Sequence, residues 1–348
     1  MPYPDPPLNL PAAPRIAVVR ALPGLGDFLC SVPGLRSLRA AFPQAHVALV
    51  GLPQVQPLVA RFSAYIDELL PFPGYPGIPE GWQGPEPLVP FLQQVRAPRY
   101  DLALQMHGSG LYSNPFTMLL GADRTAGFYR PGDYCPGADF LPYPDAAPEI
   151  ERYLTLVQSL GVQSLGVSSL DVPNQGIALE FPISDLERER YRALANANAL
   201  RSPYVCLHAG ASRSDRRWPP KSFAAVGNAL AQRGYSLVLT GSEGERAIAD
   251  AVAQQLQRPA LNLAGQTALG TLAALLEKAA LLVCNDTGVS HLAATLKVPS
   301  VVVFSNSDQR RWAPLDAKRH RAVSYTGEQT VSSVLDHCHS LLREVAYV

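Results

Sequence analysis

The feature that most constrains this fold is the repeated alternation of short, continuously apolar runs with longer amphipathic segments. In the first half, the runs RIAVVR, HVALVG, YDLALQM and ADRTAGF predict strands. The second half repeats the pattern with YVCLHAG, YSLVLTG, ALNLAG, LLVCND and SVVVFS. Strands that are apolar on both faces and separated by helices are typical of parallel sheets covered by helices on each side. The predicted fold class is therefore α/β.

Two domains of this kind are expected, since 348 residues correspond to about two domains. The boundary is placed in DVPNQGIALEFPISD, which carries two prolines and several turn residues before a charged helix. The predicted organisation is an extended Pro-rich arm (residues 1–14), a Rossmann-like domain (15–175), a second Rossmann-like domain (176–325) and a C-terminal amphipathic helix (326–348). The sequence leaves open what that helix packs on, the N-terminal domain being one option.

Composition and charge exclude several classes of protein. Lys+Arg and Asp+Glu are both 29 and only 17% of residues are charged, so the broad basic field of a nucleic-acid-binding protein is missing. The apolar runs are strand-sized, below the roughly 20 residues of a membrane span, and we expect at most peripheral membrane contact. The N-terminus has no basic start and no apolar core, so it does not resemble a secretory signal. We expect a cytoplasmic protein, with the inner face of the inner membrane as one option.

No metal or redox motif is visible in the sequence. The five cysteines are scattered and form no CxxC pair, so neither a zinc site nor a thioredoxin-type site is predicted. No cluster of His, Cys and Asp has metal-ligand spacing. We therefore predict neither a metal nor a cofactor.

The first strand ends in ALPGLGDFL, where Gly24 and Gly26 allow a tight turn before a helix. A dinucleotide-binding fingerprint would need a small residue at position 29, where Leu29 stands, so the motif does not favour NAD binding. Asp27 has two interpretations that the residues leave open. It is a helix N-cap, or it is a carboxylate at the mouth of a cleft that acts as a general base.

The second domain opens with CLHAGASRSDRRWPPKSF, in which Arg213, Arg216, Arg217 and Lys221 bring four positive charges together after a strand. In a chain of zero net charge, this concentration favours an oligoanion such as a diphosphate as partner. The alternative is a solvated charge patch that includes Asp215. In YSLVLTGSEGE, Glu243 follows a strand and either accepts hydrogen bonds from a ribose diol or stabilises the first turn of a helix.

The most informative segment is LLVCNDTGVSHLAAT. A buried strand is predicted to stop at Asn285 and Asp286, and a helix to open at Thr287 and Gly288. Free N–H groups at the start of that helix would form an anion site. His291 lies four residues after Thr287, on the same helix face. A single helical His is usually structural, but its place beside an anion site favours a functional interpretation.

These motifs together resemble one family. GLGDFLCSVPGLRSLRAAFPQAHV, HAGAS, RRWPPKSF, LTGSEGE, LNLAGQTAL and NDTGVSHLAAT occur in the order found in the ADP-heptose:lipopolysaccharide heptosyltransferases of glycosyltransferase family 9. The resemblance runs from about Arg15 to Pro314. It implies the GT-B fold, in which two Rossmann-like domains face each other across a cleft.

The resemblance also implies roles for individual residues. Asp27 would be the catalytic base for the acceptor hydroxyl, and Glu243 would hold the nucleotide ribose. The residues implied to bind the diphosphate and the donor sugar are Ser212, Arg216, Asp286, Thr287, Gly288 and His291. Arg216 stands where the family often has Lys. On the acceptor side the candidates are Gly26 and His107, in a half that matches more loosely and leaves the acceptor open.

The activity implied is an inverting, metal-independent transfer of a heptose-like sugar. The donor would be ADP-heptose or a related nucleotide diphosphate sugar, and the acceptor a hydroxyl of a glycan or glycolipid such as the lipopolysaccharide core. Two other classes stay open at this point. One is a GT-B-like epimerase that acts on a nucleotide sugar without an acceptor, and the other is a protein that binds nucleotide sugars without catalysis.

Overall fold

The structure is a computed structural model that describes residues 10–161 and 177–345. The contacts between residues divide the chain into two compact units, Met1–Ala178 and Leu179–Val348. The boundary predicted between residues 175 and 176 lies outside the described residues, as does most of the predicted arm over residues 1–14.

In the first unit, strands and helices alternate along the chain. The elements are β1 (Arg15–Val19), α1 (Leu25–Ala41), β2 (His46–Gly51), α2 (Gln56–Arg61), β3 (Glu68–Pro71), α3 (Leu88–Arg96), β4 (Leu102–Gln105), α4 (Ser113–Leu119), β5 (Arg124–Tyr129), β6 (Phe140–Pro142) and α5 (Glu149–Ser159). The strands form a parallel sheet in the order β3-β2-β1-β4-β5-β6. Helices α1 and α5 pack closely, and a Cβ at Gly34 would lie 3.0 Å from the Tyr153 carbonyl oxygen.

The second unit repeats this plan. Its elements are α6 (Asp185–Ala197), β7 (Tyr204–His208), α7 (Pro220–Gln232), β8 (Ser236–Leu239), α8 (Arg246–Ala253), β9 (Leu261–Asn262), α9 (Leu269–Glu277), β10 (Leu281–Asn285), α10 (Gly288–Thr295), β11 (Ser300–Phe304), α11 (Gln309–Trp312), β12 (His320–Ser324) and α12 (Gln329–Val345). The strands form a parallel sheet in the order β12-β11-β10-β7-β8-β9. Strands β7, β10 and β11 are buried along their whole length.

Both sheets therefore have the strand order of a Rossmann fold, and the predicted α/β class is confirmed. In each sheet the order reverses between two central strands, β1 and β4 in one and β7 and β10 in the other. Ligands of such sheets bind beyond the carboxyl ends of the strands at this switch point. Among the described residues, no helix is both long enough and apolar enough to cross a membrane.

The C-terminal helix α12 covers the second sheet. It contacts α7 and strands β10, β11 and β12. Its apolar stripe, which includes Val334, Cys338 and Leu341, belongs to the same buried cluster as Val301 and Val303 of β11. The helix thus packs within its own unit, whereas the sequence left the N-terminal domain open as its partner. The reason is that residues three and four apart along the helix form an apolar stripe, which covers that face of the sheet.

Candidate active site

Asp27 lies at the carboxyl edge of the first sheet, in the first turn of α1. The N-cap of α1 is Gly24, so the interpretation of Asp27 as the N-cap is wrong. Its side chain is 27% exposed. A Cβ at Gly24 would lie 2.2 Å from Asp27 Oδ2, so a side chain at position 24 would displace the carboxylate from this place. Gly26 is buried beside it in the same turn.

Arg20, which the sequence analysis did not single out, follows β1 directly and is 3% exposed. Its Nη1 donates a hydrogen bond of 2.7 Å to the Met106 carbonyl oxygen, and its Nη2 donates to the Asp27 carbonyl oxygen. The same Nη2 lies 3.9 Å from Asp27 Oδ1. The guanidinium therefore joins the loops after β1 and β4 at the switch point. A lone charge at the end of an apolar strand was the signal in the sequence.

His107 follows β4 and faces the same place. The Ala21 N–H donates to His107 Nδ1 over 3.2 Å, and His107 Nε2 lies 3.7 Å from Glu80 Oε2. Burial, assisted by the charge of Arg20, lowers the pKa of His107 to about 4. The ring is therefore neutral near pH 7, and its observed contacts brace the loops that carry Arg20 and Asp27.

The first unit also holds a pocket of about 400 Å³ beyond β4 and β5. Its walls include Leu111, Asn114, Met118 and Tyr134 and are mainly apolar. Asn114 fixes one wall, because its Nδ2 donates to the Phe128 carbonyl oxygen over 2.8 Å. Leu111 and Met118 are 55% and 44% exposed, so the pocket opens to solvent.

In the second unit, the four clustered positive charges separate into different roles. Arg213 is exposed and makes a bidentate pair with Asp215, with Nε 3.0 Å from Oδ1. Arg217 donates twice to the Ala211 carbonyl oxygen, over 2.9 and 2.8 Å, and so holds the loop. Lys221 is exposed in the first turn of α7. Arg216 alone of the four pairs with a predicted site residue.

Arg216 Nη1 lies 3.7 Å from Asp286 Oδ2. The side chain of Asp286 is only 4% exposed, while that of Arg216 is 27% exposed. Among the described residues, the buried Nε of Arg216 has no hydrogen-bond partner. A partly exposed guanidinium whose charge is only partly met within the protein can accept a further anionic partner.

Helix α10 begins immediately after this pair. Thr287 is its N-cap, with an extended backbone and no hydrogen bond from its side chain to the first turn. The N–H groups of the following residues, beginning with Gly288, are therefore not capped by that hydroxyl. His291 is 5% exposed, and its ring packs edge-on against Trp312 of α11 at 6.0 Å. The arrangement of helix N-terminus and cation is one that binds phosphate.

Asn285, the last residue of β10, organises the loops around this site. Its Oδ1 accepts a 2.8 Å hydrogen bond from the Trp218 N–H, and its Nδ2 donates to the Ala209 carbonyl oxygen over 2.8 Å. Asn285 and Trp218 are both fully buried. From the sequence, Asn285 is predicted only as the end of a strand, because its partners lie 67 and 76 residues away.

Ser212 and Glu243 lie on the loops that follow β7 and β8, at the same sheet edge. Ser212 is exposed. Glu243 is 73% exposed and lies 3.3 Å from Arg246, so its carboxylate is open to solvent at the edge of the site. Glu245 instead turns inward, where its Oε2 accepts hydrogen bonds from the backbone and hydroxyl of Ser242 over 2.8 Å.

The structure therefore gathers the predicted residues at two sheet edges. Asp27, Gly26 and His107 lie at the first, and the predicted donor-binding residues lie at the second. Arg216 and Asp286 are in contact, and Asp286, Thr287 and Gly288 are consecutive. Among residues 10–161 and 177–345, no group of three or more His, Cys, Asp or Glu side chains could hold a metal ion.

Similarity to known proteins extends over most of the chain. The family model described as glycosyltransferase family 9 (heptosyltransferase) matches residues 89–338. Lipopolysaccharide heptosyltransferase 3 of Escherichia coli (strain K12) is 23% identical over 299 residues, which cover 83% of this chain and 82% of that protein.

Solved structures share the fold. The glycosyltransferase family 9 protein of Veillonella parvula DSM 2008 superposes with a TM-score of 0.77 at 21% identity, covering 95% of this chain and 98% of that one. The E. coli ADP-heptose lipopolysaccharide heptosyltransferase II gives a TM-score of 0.73 at 24% identity, with 95% and 99% covered. An E. coli heptosyltransferase solved with ADP gives 0.65 at 18% identity, again with 95% and 99% covered.

Proposed function

This chain belongs to glycosyltransferase family 9, the heptosyltransferase family, and from that premise we propose that it transfers a heptose-like sugar with inversion and without a metal ion. The donor is a nucleotide diphosphate sugar, ADP-heptose or a close relative. The acceptor is a hydroxyl of a glycan or glycolipid of the lipopolysaccharide-core type. Two relatives that are lipopolysaccharide heptosyltransferases, and a heptosyltransferase solved with ADP, support this choice.

The observation that carries the proposal is the pairing of Arg216 with Asp286 directly before the N-terminus of α10. A diphosphate bound there would meet the guanidinium and the first N–H groups of the helix, and the hydroxyl of Thr287 would lie beside them. Such a site supplies positive potential from the protein alone. This supports the metal-independent form of the reaction.

The other donor contacts follow from the same sheet edge. Asp286 and His291 would face the sugar and its bond to the diphosphate, and Ser212 would border the phosphates. Glu243 has a largely exposed carboxylate, which can accept two hydrogen bonds from a ribose diol. With these roles the nucleotide lies across the switch point between β7 and β10.

At the acceptor, Asp27 is the proposed general base. Its carboxylate takes the proton of the acceptor hydroxyl while that oxygen forms a bond to the anomeric carbon. The bond from that carbon to the diphosphate oxygen breaks on the opposite face, and the nucleoside diphosphate leaves with the electron pair. Arg216, His291 and the amides at the start of α10 stabilise the charge that develops on it.

The first unit would bind the acceptor. Gly26 and the loop of His107 border Asp27, and the pocket next to that loop has mainly apolar walls. An apolar pocket beside polar loops is suited to an acceptor with a sugar part and an apolar part.

The direct test is a transfer assay in the presence of EDTA. The chain is incubated with a panel of nucleotide diphosphate sugars and a lipopolysaccharide-core glycan, and products are identified by mass spectrometry. We expect one glycosyl unit to be added to the glycan and one nucleoside diphosphate to be released, from the heptose donor above others. An isomerised donor without glycosylated product would indicate the epimerase instead. Binding of donor without any product would indicate a non-catalytic protein.

A further inference from the structure

Arg20 lies beside Asp27 and is the last residue of the run RIAVVR, outside the motifs from which site residues were predicted. We propose that Arg20 is a positioning residue that fixes the Asp27 carboxylate for proton transfer. The inference rests on the proposed function, since it concerns the base of that reaction.

The guanidinium of Arg20 is held on three sides. Nη1 donates to the Met106 carbonyl oxygen over 2.7 Å, and Nη2 donates to the carbonyl oxygen of Asp27. The plane of the group lies over the ring of Tyr153, with Cζ 4.4 Å from the ring centroid. A side chain tied to one loop and two helices has little rotamer freedom, and it holds the backbone of Asp27 in place.

The buried charge of Arg20 has to be compensated, and the surroundings show where this happens. Tyr153 donates its hydroxyl to Glu149 Oε1 over 2.7 Å, and the other oxygen of Glu149 lies 3.0 Å from Arg152 Nη1. Glu149 and Arg152 are each 1% exposed and pair with one another. Two carboxylates therefore act on the charge of Arg20, those of Asp27 and Glu149. Asp27 Oδ1 lies 3.9 Å from Nη2 of Arg20.

The two oxygens of Asp27 thus have separate surroundings. Oδ1 faces the Arg20 cation, and Oδ2 occupies the space over Gly24 that a side chain there would fill. The cation favours the ionised carboxylate, which is the form that can accept a proton. The hydrogen bond from Arg20 Nη2 to the Asp27 carbonyl oxygen fixes the backbone of Asp27 and therefore the direction of its carboxylate. Arg20 would therefore act on both the orientation and the charge state of the base, without touching the substrate.

The test compares Arg20→Met and Arg20→Lys with Arg124→Met in the full-length chain. Arg124 is the control, because it makes a bidentate pair with Asp139, at 2.7 and 3.1 Å, at the opposite, amino end of β5. Its side chain is 38% exposed, against 3% for Arg20. We measure kcat, the donor KM, the pH dependence of kcat and the urea unfolding midpoint.

We expect Arg20→Met to lower kcat by about 100-fold, because a displacement near 1 Å has about this effect. The donor KM should stay within about threefold, since the donor is held by the other unit. The acid limb of the kcat profile should move up by about one pH unit or more. Arg20→Lys keeps the charge but cannot bind both carbonyl groups. In Arg20→Lys, the acid limb of the kcat profile should therefore stay at its wild-type pH, and kcat should lie between those of the wild type and Arg20→Met.

The inference is overturned if Arg20→Met keeps kcat within about threefold of wild type, or if Arg124→Met loses as much. It is also overturned if kcat falls while the limb stays where it is in the wild type. If Arg20→Met does not fold, the test rests on Arg20→Lys. A wild-type kcat in Arg20→Lys then refutes the positioning role of Arg20. A wild-type chain that transfers no sugar refutes the proposed function itself, which is a different result.

Discussion

Asp27 and Arg216 have different proposed roles, Asp27 as the base for the acceptor hydroxyl and Arg216 as a ligand of the donor diphosphate. Asp27 is a partly exposed carboxylate in the first turn of a helix whose N-cap is Gly24. Arg216 is one of four neighbouring cations, and it is the one paired with the buried Asp286. Each proposed role can therefore be distinguished from a structural role. For Asp27 the test is a conservative variant, and for Arg216 it is comparison with a variant of a neighbouring arginine.

For Asp27, we expect Asp27→Asn to lower turnover by about 10²–10⁴-fold, the usual contribution of general acid–base catalysis. Asn keeps the shape of the side chain but cannot accept the proton. Donor affinity, measured by calorimetry, should barely change because the donor is held by the other unit. An Asn variant whose turnover stays within about threefold of wild type would remove Asp27 from the mechanism.

For Arg216, we expect Arg216→Ala to weaken nucleoside diphosphate binding by about 1.5–3 kcal/mol, the range for a charge-assisted hydrogen bond. Arg213→Ala is the matched control, since Arg213 is exposed and paired with Asp215, and it should bind almost as wild type. Calorimetry gives the affinities, and urea unfolding is measured in parallel. A loss of stability with unchanged affinity would make Arg216 a structural residue.

At the scale of elements, the sequence predicted the strands that are buried on both faces and missed three at sheet edges. β3, β6 and β12 are the outermost strands at three of the four sheet edges. Each is short or mixed in polarity, as in the segments ELLP, FLP and HRAVS. An edge strand is partly solvated, so it need not carry a continuous apolar run. An edge strand forms because it hydrogen-bonds to the neighbouring strand of the sheet, and its own sequence contributes less.

Site residues, like edge strands, are predicted from the sequence only where the signal is local. Asp27 and the 286–291 segment were predicted because their chemistry lies in short local motifs after strands. Arg20 contacts Met106 across 86 residues, and Asn285 contacts Trp218 across 67. Contacts of this kind depend on which strands become neighbours. The local sequence can mark Arg20 as an isolated charge after a strand, but it does not reveal the partner. The topology brings them together at the switch points of the two sheets.

The edge strand β12 carries a prediction about pH. His320 Nδ1 lies 2.8 Å from Ser300 Oγ of β11, and burial lowers the pKa of His320 to about 4, with Asp316 opposing the shift and Arg319 adding to it. Below pH 6.5 the unfolded chain takes up a proton that the folded chain refuses. The stability present above pH 6.5 is therefore lost as the pH falls toward 4.

We expect this histidine to account for on the order of 2 kcal/mol of the stability lost between pH 7.5 and 5. Urea unfolding of the wild type and of His320→Gln at both pH values measures it, because glutamine does not titrate. The wild type should lose more stability than the variant over this interval. Equal losses would show that His320 is protonated equally in the folded and unfolded chain.

At the scale of the whole molecule, the chain consists of two units that each have their own sheet and buried core. The proposed donor residues all belong to the second unit, and the proposed base belongs to the first. Donor binding and proton transfer should therefore be separable by dividing the chain. Because α12 packs on the second sheet, a fragment of the second unit has to include α12.

We expect a fragment of residues 179–348 to fold and to bind nucleoside diphosphate in the presence of EDTA. A fragment that ends at residue 325 should fail to fold, because it loses Val334, Cys338 and Leu341 from the core. Circular dichroism and calorimetry on both fragments measure this. Binding by the longer fragment only after magnesium is added would contradict the metal-independent donor site.

The central claim is that the acceptor hydroxyl, deprotonated by Asp27, displaces the nucleoside diphosphate in a single step. The anomeric configuration of the product tests it most directly, because one displacement inverts the anomeric carbon. The new linkage is identified by NMR from its one-bond carbon–proton coupling and compared with that of the donor. The account predicts an inverted linkage in every product molecule, and a product with the configuration of the donor would contradict it.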